Sequence, residues 1–323
     1  MIELIKKLMF TPSVSGCEDK IREVIKNEIT PYADEITVDA LGNLIVRKKG
    51  NGKKIMFCAH MDEIGFFVTS ISSNGNVNVS PVGGINAVSA AFTEVVSENG
   101  VPGVVVTTSN EKPKCEDLYI DIGAKTQKQA EKKVQIGDFF VCTPKLKKLM
   151  NQRYVGRPFD DRIACAILIE AIKEVKSEND LYFVFSTQEE VGGRGSRPAA
   201  FSVAPDIGFA LDVTAVGEKD GPSSMEVKLG KGCAIKIKDP SVICSPEIVN
   251  KMRELAKEDG IKYQNEMLPF GGTDAPSMQI AGKGAKVGAI SIPSAYIHTG
   301  CERIDMVDVK EALKLTVAIA NKL

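Results

Sequence analysis

An apolar run, Leu181-Tyr-Phe-Val-Phe185, stops just short of two adjacent carboxylates, Glu189 and Glu190, and a turn rich in glycine at Gly192, Gly193 and Gly195. The run is aromatic and β-branched enough for a buried strand, and the glycines suit a sharp turn after it. Ligands collect at the carboxyl ends of strands in open α/β sheets, so this stretch points to such a sheet with a site at its edge. Two acids parked there repel each other unless a cation or a proton-transfer role offsets the repulsion.

The same arrangement recurs along the chain. Residues 54–59 run apolar into His60-Met-Asp62-Glu63-Ile-Gly65, residues 206–211 run into Asp212, and a strand predicted over 286–292 leads to His298. His60 and His298 are the only two histidines, and each follows a strand-like run with carboxylates close by. An imidazole at a strand end suits a metal ligand, and Asp62, two residues on, suits the carboxylate that fixes its tautomer. Gly156-Arg-Pro-Phe-Asp160-Asp-Arg162 opens an apolar helix predicted over 163–175, with Asp160 standing where an N-cap or a ligand would stand. Adjacent residues of a strand point to opposite sides, so Glu189 and Glu190 are expected to differ in role, one facing a metal and the other a bound water.

The texture changes between these stretches. Residues 1–64 read as two helices followed by strands over 35–39, 43–48 and 54–59. Residues 65–154 carry six short β-like runs (66–71, 77–82, 92–97, 104–107, 119–122 and 139–143), separated by Asn-Gly, Gly-Gly and Ile-Gly turns, with one helix predicted over 127–134. From 155 to 323 strands and helices alternate again. They include a predicted hairpin of 227–229 with 233–237, a helix over 246–259, a helix opened by Gly271-Gly-Thr-Asp274 with Thr273 as its N-cap, and a closing helix over 306–322. The fold class predicted is α/β, with a catalytic domain of mixed central sheet and helices on both faces (1–64 and 155–323). A small β-rich barrel (65–154) interrupts it and serves dimerisation or assembly.

Composition narrows the function. The 323 residues carry a net charge of -1 with no dense basic block, so neither a nucleic-acid nor a membrane partner is indicated. No stretch approaches the roughly 18 apolar residues of a membrane span, and the first residues read as an amphipathic helix; a cytoplasmic protein is expected. The eight cysteines are scattered and several sit in apolar runs, which predicts reduced thiols used as small hydrophobes.

His60, Asp160, Glu189, Glu190, Asp212 and His298 supply more ligands than one zinc ion needs, since a catalytic zinc takes about three protein ligands and a water. The count fits two divalent ions about 3.5 to 4 Å apart, sharing a carboxylate and a water. Nitrogen and hard oxygen donors favour zinc, cobalt or manganese without choosing among them.

The order Ala59-His-Met-Asp-Glu-Ile-Gly65, Asp160-Asp-Arg162, Gln188-Glu-Glu-Val-Gly-Gly-Arg-Gly195, Leu211-Asp-Val-Thr214, Gly271-Gly-Thr-Asp-Ala275 and Tyr296-Ile-His-Thr299 resembles the TET-type dinuclear metallo-aminopeptidases. These include glutamyl and deblocking aminopeptidases and are often labelled cellulases. The resemblance implies that Asp160 bridges two metals, that His60 and Asp212 complete one site and Glu190 and His298 the other, that Glu189 is the general base and that Asp62 orients His60. It also implies a homo-oligomer, a dimer or a hollow tetrahedral dodecamer. The chain departs from the family pattern at Ala295, where an arginine usually precedes the tyrosine, and in a shortened loop over 84–91.

The expected reaction is hydrolysis of the N-terminal residue from short peptides with a free amino terminus. The alternatives are another dinuclear amide hydrolase, a deacylase or carboxypeptidase, and more remotely a glycoside hydrolase. Glycosidase clefts are usually rich in aromatics, whereas this chain has no Trp and 6% aromatic residues, and that reading leaves both histidines unused. A protein whose metals serve only structure would not need the extra acid Glu189, because structural zinc sites are closed and mostly cysteine-rich.

Overall fold

A computed structural model describes residues 1–109, 111–217 and 225–323. The four central strands, Leu44–Lys48 apart, are parallel: Asp180–Ser186, Lys54–His60, Ile207–Ala215 and Lys286–Ala295 lie side by side in that order. All four are almost wholly buried, which is why their sequences read as near-continuous apolar runs rather than alternating ones. Phe57 stacks between Phe183 and Phe209, with ring centroids 5.4 and 5.3 Å away, and so ties three of these strands together. Further strands, all but Tyr263–Met267 joined by antiparallel pairing, extend the sheet to eleven, with Glu35–Val38 at one end and Lys145–Lys148 at the other.

Helices Ile2–Met9, Asp19–Ile29, Arg162–Glu174 and Met306–Lys322 pack as one layer, while Ser196–Val203 and Ala275–Gln279 pack together against the central strands. Ten of the thirteen residues of Arg162–Glu174 are buried, so this helix is apolar nearly all round, as a helix sandwiched in a core must be. The chain leaves the sheet after His60 and builds a closed barrel from Gly65–Ile71, Val77–Val82, Leu118–Asp121, Pro102–Thr107, Glu94–Ser97 and Phe139–Cys142, in that ring order. Closure removes the exposed edges that six short strands would otherwise present, and Phe66, Val77, Val95, Val105, Ile120 and Phe140 fill the interior.

Several elements differ from the sequence expectations. Lys145–Lys148 pairs with Arg153–Arg157 in the large sheet, so the chain has left the barrel before residue 154. The helix expected over 127–134 is a single turn, Gln127–Ala130; beyond it only Val134 is buried, and the exposed Glu131, Lys132 and Lys133 offer no face to pack. Residues 227–229 form no hairpin with the next strand. Cys233–Lys238 instead pairs with Tyr263–Met267 and Lys286–Ala295, and the carboxylate of Asp308 takes the Gly230 and Gly232 N–H groups, turning that loop toward the last helix. All eight cysteines are free thiols. No helix among the described residues is long and apolar enough to cross a membrane.

Candidate active site

The parallel strands set the geometry. His60 is the last residue of its strand and lies in register with Ser186, the last residue of the neighbouring one, so both chains are released at one level of the sheet edge. Asp212 sits within Ile207–Ala215 rather than at its end, facing the same edge. His298 follows Lys286–Ala295 in a loop where its own φ is +60°. His60, Asp160, Glu189, Glu190, Asp212 and His298 all line one cavity.

Asp160 stands between the two imidazoles. Its Oδ1 is 3.1 Å from His60 Nε2 and its Oδ2 is 3.1 Å from His298 Nε2. Around this centre, His60 Nε2 lies 3.9 Å from Asp212 Oδ1 and 4.0 Å from Glu189 Oε2, and His298 Nε2 lies 3.2 Å from Glu190 Oε1. Asp160 caps no helix; the N-cap of Arg162–Glu174 is Asp161, whose side chain makes no capping bond. The expected N-cap of Ala275–Gln279 also moves by one residue. Asp274 holds that position and Thr273 Oγ1 accepts the Ala275 N–H at 3.2 Å.

Glu189 and Glu190 face the same cavity. The strand has ended at Ser186, and Gln188 has φ +56°, so the two-sided alternation of a strand no longer applies. The loop carrying them closes on itself: Gly192 and Gly193 N–H donate to Glu189 O at 2.8 and 2.9 Å. Gly193 has φ +59°, and a Cβ there would sit 2.6 Å from Ser277 Oγ, so glycine is favoured in this turn.

A layer of buried groups holds these side chains in place. Asp62, with no exposed surface, accepts the N–H groups of Glu189 and Glu190 at 3.0 and 3.2 Å and the Ser15 hydroxyl at 2.6 Å. His60 Nδ1 is 3.0 Å from the Asp62 carbonyl oxygen and 3.4 Å from its carboxylate. Glu18 accepts the N–H of Gln188 at 3.0 Å, and burial followed by repulsion from Asp62 pushes its carboxyl up to about 7. Glu302 accepts the N–H groups of Phe159 (2.6 Å), Asp160 (3.1 Å) and His298 (3.3 Å) and pairs with Arg157. One buried carboxylate thus fastens the backbones of two cavity residues that lie far apart in sequence.

Glu18, Ser15 and Glu302 carry no signal in the sequence, because each acts through a contact with a distant segment. Glu302→Ala would leave Arg157 buried without its partner, at an expected cost of about 3–5 kcal/mol. Urea unfolding measures it; a loss under about 1 kcal/mol would contradict the role given to this pair.

The electrostatics are those of crowded acids. Burial first, and then neighbouring negative charge, raises the carboxyls of Glu189, Glu190 and Asp212 above their ordinary range. Burial also acts against Asp160, yet its bonds to His298 and His60 outweigh it and hold that carboxyl well below the usual value. His298 shows the converse: burial pulls it down, but Asp160 and Glu190 bring it up to about 11. Among the described residues, the basic neighbours within 4.0 Å of these four carboxylates are the two imidazoles alone.

Such a set fits divalent cations, which would hold the same carboxylates ionised. His60, Asp160 and Glu190 each offer a ligand atom within 4.8 Å of one another, and so do His60, Asp161 and Asp212. Asp161 is fully buried, its Oδ2 accepts the His60 N–H and its Oδ1 has no hydrogen-bond partner.

Residues 42–315 match the family described as M42 glutamyl aminopeptidase. A relative from Acetivibrio thermocellus is 45% identical over 326 residues, covering 98% of this chain and 97% of its own. The lysyl aminopeptidase of Pyrococcus furiosus is 34% identical, covering 99% and 97%. The TET1 peptidase of Pyrococcus horikoshii, which can assemble into a tetrahedron or a large octahedral shell, is 36% identical with a TM-score of 0.91, covering 100% of this chain and 99% of that one. The matched span runs through every cavity residue from His60 to His298, on the same fold; the chain belongs to the M42 glutamyl aminopeptidase family and is a metallo-aminopeptidase.

Proposed function

We propose that the enzyme releases the N-terminal residue of short peptides with a free amino terminus, using two divalent ions per subunit held by His60, Asp160, Glu190, Asp212 and His298. Asp160 would serve both positions, His60 and Asp212 would complete one, and Glu190 and His298 would complete the other. The observation that carries this reading is the split of the Asp160 carboxylate, one oxygen toward each imidazole at 3.1 Å. Zinc or cobalt suits the donors best, and manganese is compatible with them. When bound, the ions supply Lewis acidity toward the scissile carbonyl and make water a stronger acid.

The chain's own groups do the rest. Glu189, ionised beside the cations and lining the cavity 4.0 Å from His60 Nε2, takes the proton of the attacking water and hands it to the leaving amine. Asp62 acts by orientation, holding the Glu189 amide on one side and His60 on the other. The acids at the cavity end receive the substrate ammonium. The large sheet and its helices form the catalytic domain, and the barrel between Gly65 and Cys142 serves assembly into a homo-oligomer, either a dimer or a tetrahedral dodecamer.

Hydrolysis of free and N-acetylated aminoacyl anilides, before and after chelation and with each metal restored, tests this. Cleavage restricted to free-amine substrates, abolished by chelator and rescued by metal, is the expected outcome. Cleavage of acetylated substrates would favour a deacylase or carboxypeptidase instead.

A further inference from the structure

The cavity extends well past the acids and imidazoles, to a volume of about 1080 Å3, enough for a large side chain as well as the peptide that follows it. Among its described lining residues, Asp, Glu, His, Lys and Arg are confined to the six site residues. Val213, Val216, Met225, Leu268, Phe270 and Ile297 carry much of the remaining wall. Met225 and Leu268 belong to a small apolar cluster with Val227 and Ala234, against which Val216 packs, so this part of the wall is backed by hydrocarbon.

Three charges behind the wall are tied to one another. Lys236 Nζ lies 2.7 Å from Glu266 Oε1 and 3.2 Å from Asp239 Oδ2, all three side chains fully buried. Two of the hydroxyls that line the cavity donate inward: Thr214 to Glu266 at 2.8 Å and Ser241 to Asp239 at 2.7 Å. Their protons are therefore turned away from anything in the cavity. A glutamate or lysine side chain entering here would leave water and meet no counter-charge among the described lining residues of this wall, whereas a leucine or methionine side chain would bury its full apolar surface.

We infer that this wall selects neutral, apolar N-terminal residues of the leucine and methionine kind over acidic and basic ones. The family description names glutamyl substrates and the Pyrococcus furiosus relative is a lysyl enzyme, so the chain departs from both. The inference rests on the aminopeptidase reading above.

The test compares kcat/KM of the metal-loaded enzyme on leucine, methionine, glutamate and lysine anilides. Leucine and methionine should exceed the charged pair by on the order of 100-fold. Equal or faster cleavage of glutamate or lysine anilide overturns the selectivity while leaving the aminopeptidase reading intact; silence on all four overturns both. Phe270 is 57% exposed, so Phe270→Arg tests the wall without endangering the fold. It should raise the ratio of glutamate to leucine cleavage by roughly tenfold, and an unchanged ratio would place the side chain elsewhere. A readout independent of turnover is calorimetric binding of leucinamide and of the α-amide of glutamate to metal-loaded Glu189→Gln, where leucinamide should bind more tightly and the reverse order overturns the inference.

Discussion

Glu189→Gln is expected to lower kcat by about 1000-fold while metal content stays at the wild-type value. Glutamine keeps the size and shape of the side chain and leaves the Glu189 amide bonded to Asp62, so the loop that carries residues 189 and 190 has no reason to move. It cannot accept a proton from water at neutral pH, and that is the function proposed for this carboxylate. Glu189 suits the task by position, since it lines the cavity with its Oε2 4.0 Å from His60 Nε2, and burial raises its carboxyl above the ordinary value. Turnover and bound metal, measured on the same preparation, separate the possibilities. Turnover within about tenfold of wild type would remove Glu189 from the proton transfer. Loss of metal along with activity would make it a ligand instead.

Asp160→Asn acts on the centre itself. Asp160 faces His60 with one oxygen and His298 with the other, and no other described carboxylate has this relation to both imidazoles. An amide keeps the packing but removes the charge and one of the two acceptor oxygens, so both metal positions weaken together. The expected drop in metal affinity is larger than the roughly 10- to 100-fold that loss of a supporting outer partner costs. Dialysis followed by metal analysis measures it. A variant that retains two ions at wild-type affinity would exclude the bridging role and direct attention to Asp161, which lies in the second group of possible ligands with His60 and Asp212.

What was legible in the sequence follows from how the parts are built. Parallel strands buried on both faces read as unbroken apolar runs, so the segments ending near His60, Asp212 and Glu189 could be found without any knowledge of tertiary contacts. The barrel strands were legible for a different reason: Asn-Gly and Gly-Gly turns punctuate them at short intervals. The edge strand Lys145–Lys148 was not, because three lysines in four residues carry no apolar pattern; lysines blunt a sheet edge against further pairing.

Glu189 and Glu190 lie beyond the end of their strand, and the positive φ angles of Gln188, Gly192 and Gly193 shape the turn that brings both to one cavity. Glu302 was beyond reach altogether. Its three backbone partners, at Phe159, Asp160 and His298, exist only once two remote loops have met.

The central claim is an aminopeptidase that needs a free amino terminus and two bound ions, and the most direct test is a titration. Metal-free protein is loaded stepwise, and release of the first amino acid is followed for a free-amine tripeptide and for its N-acetylated counterpart, alongside bound metal per subunit. Release from the free-amine peptide alone, reaching its maximum at two equivalents, is the predicted result. Cleavage of the acetylated peptide, or full activity in the metal-free protein, would contradict the account.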